Sequence, residues 1–383
     1  MDFNLLHPRD QLVTIMDRIY QGGMTTLSGG NLSVRDDNGD IWITPTGIDK
    51  GNLAPGDIGC VQPDGTTLGP HRPSSEYAFH EAIYARRPDL RAIVHAHPPA
   101  LVSFSIARQV PHTSIIPQAR GVCGPVGYAP YALPGSEQLG GNMAATFAKG
   151  YNVVLLENHG TATGGSDLLE AFHRLETLDF CARTLLEAQG LGAVRTLTEK
   201  QLALLDGQRS FLPEFVPAGH SSRERELRCR VVQTVHRACD RYLMISTEGV
   251  VSARVDDRSF LITPTGLDRR SLDIGDIVLV RNRQREAGRL PSRSVHMHIA
   301  IYDAHPGIEC VITAQSPHIT AFAIASARFD TRTIPESYIL LRDVPIIPYG
   351  AQFLEPRAVA QALSEDTPVL LIQNDAVLTV GRT

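Results

Sequence analysis

Ile43-Thr44-Pro45-Thr46-Gly47-Ile48-Asp49 and Ile262-Thr263-Pro264-Thr265-Gly266-Leu267-Asp268 are one motif written twice in a single chain, at an offset of 219 (43 to 262). Both copies continue to a leucine and then Gly-Asp-Ile, at Leu53 and Gly56-Asp57-Ile58 and again at Leu272 and Gly275-Asp276-Ile277. Pro73-Ser74, His80, Ile83-Tyr84 and Pro88 then match Pro291-Ser292, His298, Ile301-Tyr302 and Pro306, at an offset of 218 (73 to 291). Pro130-Tyr131 and Pro348-Tyr349 keep that offset. So steady a spacing marks a tandem duplication of one domain of about 200 residues, and the 383-residue length suits two domains.

The expected division is a first domain over 1–205, a linker over 206–222 and a second domain over 223–383. Pro213, Pro217, Gly219 and Ser221-Ser222 break any period in the linker. Within each copy the order reads helix, short strands, helix, strand, strand, helix. Leu12, Ile15, Met16 and Ile19 predict a helix over 10–21. Apolar runs at Ile41–Thr44, Ile58–Val61, Ala92–His95 and Val153–Leu156 predict strands. Ser74-Ser75 suit the start of a helix over Glu76–Ala85. A long helix over 166–189 carries a capping-box pair, Asp167 and Glu170, and a stripe of Leu168, Leu169, Phe172, Leu175, Leu178, Ala182 and Leu185. The fold class is α/β, a sheet covered by helices. The second copy reaches Thr383 just after its last strand, so the counterpart of helix 166–189 is expected to be missing there.

A net charge of −5 disfavours nucleic acid and anionic membrane surfaces as partners. No apolar run approaches a membrane span, and the first residues do not read as a secretion signal. The six cysteines contain no CxxC pair. They read as free thiols of a cytoplasmic protein, three of them in the core.

The chemistry lies in the first copy. His95 and His97 follow an apolar strand, and residues two apart on a strand share a face. His159 follows another apolar strand, in Leu155-Leu156-Glu157-Asn158-His159-Gly160. Three neutral imidazoles suit zinc or a similar ion with a position left open for substrate. A lone HxH is as readily a pair of core histidines, but the duplication supplies a control. His95, His97 and His159 become Thr313, Gln315 and Asp375 in the second copy, Glu76 becomes Ser294 and Asn31 becomes Val250. The fold motifs persist while these positions change together, which favours a chemical role for them.

At these residues the chain resembles the class II aldolase/adducin family. The matching stretches are Ser28-Gly29-Gly30-Asn31-Leu32-Ser33-Val34-Arg35, Ile43-Thr44-Pro45-Thr46-Gly47, Pro73-Ser74-Ser75-Glu76, His95-Ala96-His97-Pro98 and Asn158-His159-Gly160, within about 25–185. The resemblance implies two tandem three-layer α/β/α domains, the second degenerate and without the metal ligands. It implies one divalent ion per chain on His95, His97 and His159, zinc first, with manganese or cobalt as alternatives. Glu76 would move the proton. Asn31, Thr46, Gly47, Ser74 and Ser75 would hold a phosphate, helped by the helix start. The activity implied is an aldolase-type lyase of carbohydrate metabolism, cleaving a sugar phosphate or related hydroxy-keto compound through a metal-stabilised enediolate. An epimerase or decarboxylase with the same site, and an adducin-like protein without catalysis, are the alternatives. Glu at position 76 is similar to the aldolases, where the epimerase has Asp.

The chain departs from the family where aldolases place a tyrosine from a neighbouring subunit. Ile116 aligns there, with Gln118 and Arg120 close by. Tyr128 and Tyr131 are out of register. Arg120 could meet a substrate carboxylate, and Tyr338, aligned with Arg120, could stand in for the tyrosine. Family members are often four-fold rings, so a homodimer of this chain would form a pseudo-tetramer of domains. The expected partner is a small-molecule substrate.

Overall fold

The computed structural model describes residues 3–206 and 211–383. Positions 207–210 of the expected linker lie outside the described residues. The chain divides into two compact units, Met1–Thr113 with Ala119–Arg183, and Ser114–Gln118 with Thr184–Thr383. Residues 184–205, read above as part of the first domain, therefore pack with the second unit, as does the short segment Ser114–Gln118.

The first unit is built on eight strands: β1 (Asn31–Arg35), β2 (Ile41–Ile43), β3 (Gly59–Val61), β4 (Thr67–Leu68), β5 (Ala92–Ala96), β6 (Val126–Ala129), β7 (Val153–Leu156) and β8 (Gly160–Gly165). They lie in the order β4-β3-β2-β1-β5-β8-β7-β6. All neighbours are antiparallel except β6 and β7. Alternation along the strands sets the layers. Ile93 and Ala162 join Phe79, Ile83, Leu139, Met143 and Phe147 in one core, so helices Tyr77–Arg86 and Glu137–Phe147 cover that face. Thr163, one residue on from Ala162, donates instead to the Ala171 carbonyl at 2.7 Å, which puts helix Leu168–Ala188 on the opposite face. Helix Pro8–Gln21 lies beside it, with Arg18 over the Phe172 ring at 4.5 Å. The capping pair on the long helix forms one residue out of step. Asp167 accepts from the Glu170 N–H at 2.7 Å, but Glu170 accepts from Ser166 rather than from Asp167.

The second unit repeats this plan with β9 (Glu214–Phe215), β10 (Val250–Asp256), β11 (Ser259–Ile262), β12 (Val278–Arg281), β13 (Gln284–Glu286), β14 (Cys310–Ala314), β15 (Ile346–Ile347), β16 (Val369–Ile372) and β17 (Val377–Gly381). The order β15-β16-β17-β14-β10-β11-β12-β13-β9 matches the first sheet strand for strand, with β9 added at the edge. β9 falls within the range expected to be linker. Glu214–Phe215 pairs in parallel with Arg285–Glu286 because the open edge of β13 offers unpaired backbone groups. Helix Ser222–Asp240 buries Val231, Val232 and Val235 against Leu261 and Leu279. Helix Val295–Ala304 packs Met297 and Ile301 on the other core.

The repeated motif is a structural joint. Thr44 Oγ1 accepts from the Leu32 N–H at 3.1 Å, and Thr263 Oγ1 accepts from the Val251 N–H at 3.3 Å. Pro45 bridges to Pro73, and Pro264 to Pro291, which lays the two loops of each unit side by side. Gly47 and Gly266 then turn with φ of +71° and +74°, a region where side chains are costly. Four of the cysteines (60, 123, 181 and 239) are buried, and all six are free. No described helix is long and apolar enough to cross a membrane.

Candidate metal centre

β1, β5, the β7–β8 turn and the start of helix Tyr77–Arg86 meet at one end of the first sheet. His95 sits on β5 on the same face as Ile93, with its ring edge-on to Phe79. Its Nδ1 lies 3.1 Å from the Thr161 carbonyl, so that nitrogen carries the proton and Nε2 points into the site. His97 follows two residues on, and its Nε2 is 3.0 Å from the Nε2 of His95. His159 comes from the tight turn between β7 and β8, where Asn158 takes a left-handed φ of +53°. One ligand atom from each of the three imidazoles lies within 4.8 Å of the others. Glycines make room for the rings. A Cβ at Gly29 would stand 2.8 Å from His97 Nδ1, and one at Gly160 would stand 2.5 Å from His97 Cδ2.

Glu76 is the residue just before helix Tyr77–Arg86, and its side chain does not cap that helix. Ser74 Oγ accepts the Glu76 N–H at 3.2 Å instead, freeing the carboxylate to turn inward. Glu76 Oε2 lies 3.3 Å from His95 Nε2, and Oε1 lies 3.5 Å from His159 Nε2. Burial pushes the Glu76 carboxyl up, but its contacts with His95 and His159 and the Asn31 amide together outweigh this and hold it well below the usual carboxylate range. Burial first, and the neighbouring His95 second, lower His97 to about 3 and His159 to about 4.

This donor set fits a divalent ion. His97 and His159, both half-buried, stay neutral at physiological pH, as ligation requires. The buried Glu76 Oε1 has no hydrogen-bond partner among the described atoms, although an orphaned carboxylate oxygen is costly.

The other expected residues fall in different places. Asn31 opens β1 opposite His95 and donates from Nδ2 to Glu76 Oε2 at 2.8 Å. Ser74 is buried beneath Glu76, while Ser75, Thr46 and Gly47 are exposed on the two loops that the Pro45–Pro73 bridge joins. Arg120 is half-buried on helix Pro117–Cys123. Tyr338 belongs to the second unit, on helix Pro335–Leu341, beneath the Arg342 guanidinium. Tyr128 donates to the Ser105 carbonyl at 2.9 Å, and Ile116 is buried. Gln118 donates at 2.7 Å to Asp375, the counterpart of His159. The sequence reading did not single out Ser33, His80 and Tyr84 as part of the site. Their recurrence as Ser252, His298 and Tyr302 was the available signal.

The model of the class II aldolase and adducin N-terminal domain matches residues 10–186 and again 229–383. The chain is 32% identical over 207 residues to the 3-oxo-tetronate 4-phosphate decarboxylase of Haemophilus influenzae, covering 53% of this chain and 98% of that protein. It is 30% identical over 198 residues to the 5-deoxy-D-ribulose 1-phosphate aldolase of Bacillus thuringiensis serovar kurstaki, covering 51% of this chain and 91% of that one. A solved L-fuculose 1-phosphate aldolase is similar with a TM-score of 0.47 and 31% identity, covering 52% of this chain and 93% of that one. The chain belongs to the class II aldolase and adducin family, with the family's domain present twice.

Proposed function

We propose that the first domain is a metal-dependent lyase that breaks a carbon–carbon bond in a sugar phosphate or a related hydroxy-keto compound. The observation that carries this reading is the convergence of His95, His97 and His159 with a buried carboxylate, Glu76, that turns away from its own helix. The three imidazoles would hold one divalent ion, zinc first, with manganese or cobalt as alternatives. When bound, that ion supplies Lewis-acid polarisation of the substrate's keto oxygen. Glu76, held by Asn31, takes and returns the proton at the reacting carbon or its hydroxyl. The loops of Thr46-Gly47 and Ser74-Ser75, with the N-terminus of helix Tyr77–Arg86, offer hydroxyls and N–H groups to a phosphate. Asn31 belongs to that pocket through its second amide proton. Similarity to both a decarboxylase and an aldolase supports the shared bond-breaking step.

The two leaving groups make different demands. Aldol cleavage must take a proton from the departing carbinol oxygen, and the aligned side chain here is Ile116, which offers no such group. Tyr338 of a second chain is the stand-in for that tyrosine in a cytoplasmic homodimer built as a pseudo-tetramer of domains. Loss of carbon dioxide needs no group at that oxygen, so Ile116 and the decarboxylase relative favour decarboxylation as the second reading. Arg120 would then meet the substrate carboxylate.

Protein loaded with zinc, manganese or cobalt is to be tested against ketose 1-phosphates, trapping aldehyde, and 3-oxo-tetronate 4-phosphates, measuring carbon dioxide. Release of either product supports the lyase and selects the leaving group. A metal-loaded protein that releases neither, with any of the three ions, sinks the lyase reading in favour of a non-catalytic, adducin-like role.

A further inference from the structure

The carboxylate of Glu76 ends a buried chain of hydrogen bonds that begins 8 residues further along the sequence, at Tyr84. Tyr84 Oη lies 2.8 Å from Ser33 Oγ, and Ser33 Oγ lies 2.7 Å from His80 Nδ1. His80 Nε2 is bonded to Asn31 Oδ1, and Asn31 Nδ2 to Glu76 Oε2. Each of the five side chains is buried: Ser33 and His80 fully, Tyr84, Asn31 and Glu76 to within 8% of full cover.

Donor bookkeeping gives this chain one direction. A carboxylate only accepts, so Asn31 must present its N–H₂ to Glu76 and its oxygen to His80. The oxygen only accepts, so His80 must carry its proton on Nε2. Burial keeps the ring uncharged at neutral pH, which leaves Nδ1 as an acceptor from the Ser33 hydroxyl. Ser33, having spent its proton, accepts from the Tyr84 phenol. A ring with the other tautomer would turn its lone pair on Asn31 Oδ1 and favour the flipped amide, which sets oxygen against the carboxylate.

The second unit separates the frame from the link. Ser252 Oγ lies 2.7 Å from His298 Nδ1 and 2.8 Å from Tyr302 Oη, the same trio at the same distances. There Val250 and Ser294 stand where Asn31 and Glu76 do, and the buried His298 Nε2 has no partner among the described atoms. The trio is kept in both units, whereas its connection to a carboxylate exists in one.

We propose that His80 is a positioning residue of the site: its Nε2–H, with Ser33 and Tyr84 holding the ring from its other side, sets the Asn31 amide that aims Glu76 at the three imidazoles. The catalytic part of this inference rests on the lyase reading; the tautomer part does not. Buried partners of this kind are worth about 10–100-fold in metal affinity or activity.

The test compares matched variants of the full chain. His80→Leu and His298→Leu each remove one ring from one trio. Both are expected to lower the melting temperature by similar amounts. Only His80→Leu is expected to lower kcat by about 10–100-fold, with KM within a few-fold. His80→Gln, which can accept from Ser33 and donate to Asn31, is expected to recover most of that loss. Equal kcat losses in both leucine variants, or full kcat in His80→Leu, overturn the proposal. Should His80→Leu fail to fold, His80→Gln and the spectrum decide. Nitrogen-15 NMR of histidine-labelled, metal-free wild type, with the His80 signal identified by its absence in His80→Gln, reads the tautomer directly. An Nε2–H ring between pH 6 and 8 supports the proposal whether or not a lyase activity has been found. An Nδ1–H ring overturns it.

Discussion

The two units share a sheet order and a buried Ser–His–Tyr trio, yet differ at the positions of His95, His97, His159 and Glu76. In the first unit the β7–β8 turn presents His159 beside His95, His97 and Glu76. In the second the equivalent turn presents Asp375, which is buried and receives amide N–H groups from Gln118, Gln315 and Gln352. Burial pushes that carboxyl up to about 6, against the pull of the Gln118 and Gln315 amides. One turn therefore supplies a neutral lone pair for a cation, and the other a carboxylate already supplied with donors. The lesson is that the frame tolerates either, because the trio and the Thr44 and Thr263 joints do not depend on the site. What distinguishes the units is a small set of side chains at strand ends.

The largest effect should come from breaking the site itself. His95→Ala is expected to abolish turnover and metal retention, measured by elemental analysis after gel filtration. Gln315→Ala, which truncates the counterpart of His97, is expected to change neither. Glu76→Gln comes next. Turnover should fall by about 10²–10⁴-fold, the usual worth of a positioned acid–base group, while the ion is still bound; equal loss of metal would recast Glu76 as mainly a ligand.

The comparison can be sharpened through pH. Burial holds His298 at about 3, against 6.5 for a free imidazole. Between those values the unfolded chain binds a proton that the folded one refuses, so stability falls as pH drops through that window and is fully present above it. His298→Leu should flatten the acid side of the stability curve by about 1.4 kcal/mol per pH unit, measured by urea unfolding of the full chain between pH 4 and 6. An unchanged slope would contradict the reading of His298 as a buried neutral ring. Val250→Asn should have the smallest effect. It offers His298 the acceptor that His80 has, a hydrogen bond worth about 1 kcal/mol, offset by lost apolar burial. Stability should stay within about 1 kcal/mol of wild type, with no added metal binding.

Much of this was legible in the sequence because it is local or repeated. A period of two placed His95 and His97 on one face, and the second copy showed which positions the fold could spare. The unread parts depend on tertiary context. Glu214–Phe215 is too short to show a strand period, and it pairs only because β13 leaves an edge. Ser114–Gln118 carries no signal that it packs with the second unit, where Asn374 donates to the Ile115 carbonyl at 2.7 Å. Asn31 reads from sequence as a phosphate ligand, but nothing in its neighbourhood indicates that His80 and Glu76, 49 and 45 residues away, also engage the two ends of its amide.

The most direct test of the central claim is a calorimetric titration of the metal-free full chain with zinc, repeated on a His159→Asp variant that copies the second unit's residue at that turn. About one ion is expected per wild-type chain, with loss of that site in the variant. No tight binding to wild type, or one ion retained with unchanged affinity in the variant, would contradict that claim.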